Sequence, residues 1–79
     1  MNNSKKLVEA FTGALGVNSD VVNDDLEYAS INEWDSVAHM ALIAELEDSF
    51  DIMLDIDEII DMSSVAKAKE IIASHDVEF

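Results

Sequence analysis

Leu7, Val8, Phe11 and Leu15 recur at the three- and four-residue steps of one buried helical stripe, with Ser4 placed to cap its start. Gly16 supplies a natural stop. Residues 17–35 then lose the period and are rich in Asn, Asp and Ser, which predicts a long connection. Val21, Val22, Leu26, Tyr28 and Ile31 are the apolar residues available to pin it across a bundle. A loop of this length in a short chain usually has a function. A second helix is expected from Asp35-Ser36, where either side chain can cap, to about Phe50. A short helical turn follows over residues 55–61, with Ile56, Ile59 and Ile60 expected against the core. Ser63 and Ser64 then cap a last helix whose inward residues are Val65, Ala68, Ile71 and Ile72. The tail over residues 75–79 is expected to fray. Strand alternation is absent and no Pro breaks the pattern, so the expectation is all-α: a small four-helix bundle of three longer helices and a short third, one domain over residues 1–79.

The second helix carries more apolar surface than a bundle needs. At about 100° per residue, His39, Leu42, Ile43, Leu46 and Phe50 share one sector and form the stripe that must face the core. Val37, Met40, Ala41 and Ala44 form a second strip on another side, bordered by Glu47 and Asp48 and beginning beside Ser36. One reading makes this strip a docking surface for another protein. The other gives its alanines and Met no role beyond helix propensity. The adjacent capping Ser favours docking.

Composition narrows the chemistry. The chain of 79 residues holds 18 Asp and Glu against 4 Lys and Arg, a formal charge of −14. Between Lys6 and Lys67 there is no basic Lys or Arg at all. Such a field repels phosphate backbones and anionic headgroups, arguing against nucleic-acid and membrane-surface binding and for basic protein partners. Like-charged copies repel as well, so a monomer is expected. With no Cys there is no disulfide framework, thiolate zinc site or cysteine nucleophile. No stretch is long and apolar enough for a membrane span or a signal h-region, and a cytoplasmic location is expected.

The stretch EWDSVAHMALIAELEDSFDI, residues 33–52, resembles the acyl carrier proteins, small four-helix carriers that include peptidyl and aminoacyl carrier domains. The family opens helix two with Asp-Ser-Leu and closes it with a Glu-rich turn before Phe; here stand Asp35-Ser36-Val37 and ALIAELEDSF. Met62-Ser63-Ser64-Val65 looks like the family's apolar-Thr-Thr-Val entry to helix four, so the resemblance covers nearly the whole chain. It implies that Ser36 carries 4′-phosphopantetheine, transferred from coenzyme A by a magnesium-dependent phosphopantetheinyl transferase. The arm's thiol would hold acyl or aminoacyl groups as thioesters, which fits a chain without Cys. Asp35 matches the acid that the family places before its Ser, associated with transferase recognition and magnesium, and it is also a plain N-cap candidate. The chain would then be a non-catalytic carrier for fatty-acid-like or specialised biosynthesis. Its Val37, Met40, Ala44, Glu47 and Asp48 would meet basic docking patches on acyl- or aminoacyl-loading and acyl-processing enzymes, together with residues 55–58.

This chain departs from the housekeeping fatty-acid carriers at several places. Val37 replaces the usual Leu, Glu33 and Trp34 stand where Gly is common, and Ala38, His39 and Ala41 leave the first turns of helix two less acidic. Trp-Asp-Ser looks more like the stand-alone carriers of specialised bacterial pathways. Relatives shelter an acyl chain between helices, and His39 would make such a cavity smaller or more polar. A hydrolase built on Ser36 and His39 is the weaker reading, since His39 falls in the core stripe and no Gly-rich nucleophile elbow is present. The clusters at residues 24–27 and 55–58 lack the Gly and Glu positions of a calcium loop, and no metal site is expected. Trp34 and Tyr28 are expected to pack rather than to stack a ligand. Outside the carrier class, the alternative is an acidic helical adaptor that binds basic proteins with no prosthetic group.

Overall fold

The computed structural model describes residues 3–79, and among them it is all-α with four helices. These are α1 (Asn3–Leu15), α2 (Ser36–Phe50), α3 (Ile56–Asp61) and α4 (Val65–Ala73). A single 3₁₀ turn, Ser19–Val21, interrupts the long connection between α1 and α2. The chain is already helical at Asn3, so Ser4 lies inside α1 and is not its cap. At the other end Gly16 takes a φ of 69° and returns its N–H to the Thr12 carbonyl over 2.9 Å, the left-handed stop its sequence position predicts.

The core is drawn from the three longer helices and the connections between elements. Leu7, Phe11 and Leu15 come from α1, Leu42, Ile43 and Leu46 from α2, and Val65, Ala68, Ile71 and Ile72 from α4. Each large apolar side chain so enclosed contributes roughly 1.5–3 kcal/mol. The long connection joins them through Val22, Leu26 and Trp34. It is also stitched to the α3–α4 junction: Tyr28 N–H donates to the Ser63 carbonyl over 2.8 Å, and Val65 N–H donates to Leu26 over 3.0 Å. Ser64 caps α4 by accepting from Lys67 N–H.

The third helix departs from expectation. Ile56 and Ile60 are 72% and 74% exposed, and only Ile59 of the three packs against the core. Positions 56, 59 and 60 share one helical face, but α3 is rolled so that only the Ile59 edge of that face meets the core. The flanking residues Leu54 and Met62 are the buried anchors instead. Polar contacts complete its attachment. His39 Nε2–H donates to the Ile59 carbonyl over 2.9 Å, and His75 Nε2 lies 3.0 and 2.9 Å from the two Glu58 oxygens. The segment carrying His75 is therefore not frayed. Glu78 accepts from the Asn3 side chain over 2.8 Å, and the Phe79 ring lies edge-on to Phe50 at 6.0 Å.

Replacing Ile56 or Ile60 by Ser is expected to change stability by no more than about 0.5 kcal/mol, whereas Ile72→Ala should cost about 2–5 kcal/mol. Urea unfolding followed by the fluorescence of the single Trp measures both.

Glu58 gives a second prediction. The Asp55 N–H, 3.2 Å from Glu58 Oε1, holds the carboxyl below its ordinary value; partial burial opposes this and His75 reinforces it. A lowered folded-state value means stabilisation is complete above the unfolded carboxylate value of about 4.3 and is lost as pH falls through the folded one. Glu58→Gln should therefore lower stability at neutral pH and flatten the loss below about pH 4.3, read from urea curves across pH.

Candidate functional site

Asp35 stops the long connection in extended backbone, and its Oδ1 accepts the Ala38 N–H over 2.9 Å, which caps α2. Ser36 is the first helical residue, and its side chain is exposed. Its hydroxyl makes no hydrogen bond to any described residue. It therefore stands free at the positive end of a 15-residue helix, where the partial charge favours a phosphate by about 0.3–1 kcal/mol.

A groove of about 320 Å³ opens beside Ser36. Tyr28, Met40, Ile59, Ile60 and Met62 give it apolar walls, His39 and Ser63 the polar ones, and no Lys or Arg lines it. The chain's cations lie elsewhere: Lys67 pairs with Asp61 at 3.2 Å, Lys69 with Asp24 at 2.9 Å, and the Lys6 ammonium sits 5.3 Å from the Phe50 ring centre. A larger, more polar hollow of about 660 Å³ is bounded by Asn3, Lys6, Phe50 and residues 76–79. It lies toward the opposite end of α2 from Ser36, about 20 Å along the helix.

Beneath the groove lies an aromatic cluster. Trp34 has no exposed surface; the Phe11 ring stands edge-on to it at 5.3 Å, and the His39 ring lies beside it, centroids 6.0 Å apart and planes 24° apart. Its indole N–H donates to His39 Nδ1 over 3.0 Å. An indole can only donate, so Nδ1 must accept and the His39 proton resides on Nε2, aimed at Ile59. Both ring nitrogens are engaged, which leaves neither to take a proton from Ser36. Packing is thus the role of Trp34, as expected, while Tyr28 stays partly exposed on the groove wall.

The second strip of α2 is exposed: Val37 is 79% accessible, and Met40, Ala41, Ala44 and Asp48 are also open to solvent. Glu47 does not belong to it in the same way. It is half-buried, with Oε2 accepting from Leu54 N–H over 2.9 Å, so its carboxylate secures the α2–α3 loop. The residue that the wheel places in the core stripe but that also borders the site is His39. Its place on that stripe, three residues after Ser36, is the sequence feature that points to this. No group of His, Asp and Glu among the described residues is arranged to hold a metal ion, and no described helix is long and apolar enough to cross a membrane.

The chemistry of the site fits a phosphodiester-linked arm: a free hydroxyl, a helix start without competing anionic contacts on that oxygen, and an apolar groove alongside. Comparison with family models, curated proteins and solved structures finds no match. Asp35→Ala is expected to destabilise the chain by about 1 kcal/mol, with Asp35→Asn close to neutral, measured by urea unfolding.

Proposed function

We propose that the chain is a carrier protein of the acyl-carrier type, with Ser36 as the attachment point for 4′-phosphopantetheine. The observation that carries this reading is the exposed, unbonded Ser36 hydroxyl at the start of α2, placed by the Asp35 cap at the mouth of an apolar groove. The resemblance of residues 33–52 supplies the identity of the group. When bound, the arm supplies a terminal thiol that holds acyl or aminoacyl cargo as a thioester.

The residues present have distinct tasks in this reading. Ser36 offers its oxygen to a phosphopantetheinyl transferase. Asp35 fixes the turn that presents it and offers a carboxylate oxygen to the transferase or its magnesium ion. Val37, Met40, Ala44 and Asp48 form an apolar, acid-edged strip for basic patches on loading and processing enzymes. Exposed ion pairs at such a surface contribute only about 0–1 kcal/mol each. The −14 charge therefore acts mainly through fast, salt-sensitive encounter, which suits a protein that visits successive partners. A cytoplasmic monomer is the setting we propose.

Incubation with coenzyme A, magnesium and a broad-specificity transferase, followed by mass spectrometry, tests the reading. One phosphopantetheine unit should be gained by the wild type and none by Ser36→Ala. An unmodified wild type in the presence of active transferase supports the adaptor instead.

A further inference from the structure

One side chain that lines the groove is also tied into the fold at both of its ring nitrogens. His39 lies on α2 and faces the groove, yet its two nitrogens reach in opposite directions, one to the buried Trp34 indole and one to the Ile59 carbonyl of α3. The ring is held by these two in-plane hydrogen bonds and by Tyr28 edge-on at 5.4 Å. An alkyl chain moving from the groove into the body between α2 and α3 must displace this ring. Doing so strips the hydrogen-bond partner from an indole that has no exposed surface. Without that step cargo has only the open groove of about 320 Å³ along the surface.

We propose that His39 determines cargo length at this site: by bolting Trp34 to Ile59 it closes the body beneath Ser36 and confines cargo to the surface groove, selecting short or polar acyl and aminoacyl groups over long alkyl chains. The inference rests on the carrier reading and concerns the same site. His39 is a positioning residue, acting through the bolt and not through the reacting atoms. Its two bonds need an acceptor and a donor on one side chain. Gln provides both, and Leu provides neither.

The test loads Ser36 with amide-linked butanoyl and dodecanoyl pantetheine analogues, with loading verified by mass. The Trp34 indole N–H resonance and the thermal midpoint are then compared. In the wild type both should match the unacylated holo chain for either cargo, and His39→Gln should behave alike. In His39→Leu the dodecanoyl chain alone should shift the indole resonance and raise the midpoint. A wild type whose indole resonance and midpoint respond to dodecanoyl but not to butanoyl overturns the inference. So does a folded His39→Leu that responds to neither. If His39→Leu does not fold, the wild type and His39→Gln decide the matter between them. Failure of loading with an active transferase removes the carrier reading itself, an outcome the mass measurement distinguishes from the others.

Discussion

Trp34 is the point on which the structure converges. It ends the 20-residue connection between α1 and α2, yet it has no exposed surface and meets Phe11 of α1, His39 of α2 and Tyr28 of the loop through ring contacts. A buried indole N–H left without a partner costs about 1–3 kcal/mol. His39 removes that cost and passes the connection on to α3 through Ile59. The loop is thereby held rigidly up to the residue before Asp35, and the start of α2 inherits a fixed position. A hydroxyl that must be found repeatedly by other proteins benefits from being held in this way.

The opposite constraint is weakness in α3. None of its residues is fully buried, its two outermost isoleucines face solvent, and both histidines of the chain are spent on holding it, one from α2 and one from the tail. Glu58 serves twice, in the capping box with Asp55 and as the His75 partner. A segment with few buried apolar contacts opens more readily than the rest of a fold. α3 walls the groove beside Ser36, so the least firmly packed helix borders the site where exchange of cargo and partner is proposed.

Charge and apolarity cooperate at the surface. A −14 chain with its few cations engaged away from the groove presents an acidic field broken by exposed Val37, Met40 and Ile60. Acids supply reach and salt sensitivity, while apolar side chains supply contact after encounter. The body remains folded under its own repulsion because the apolar residues of α1, α2 and α4 close around one core.

The all-α class, α2 and its Asp35 cap, the stop at Gly16 and the inward face of α4 were legible in the amino-acid sequence, because periodicity, capping and left-handed turns are local properties. The second strip of α2 was legible for the same reason: a core-facing stripe already existed, leaving the other no place inside. The orientation of α3, the inward turn of Glu47 onto Leu54 and the seating of the tail were not. The spacing of Ile56, Ile59 and Ile60 gives α3 an apolar face but not its roll against the core, and the other two are contacts between segments. His39 shows the division most directly. Helical spacing placed it toward the core, but that its two nitrogens join a loop indole to a carbonyl twenty residues onward was decided only when three segments met in space.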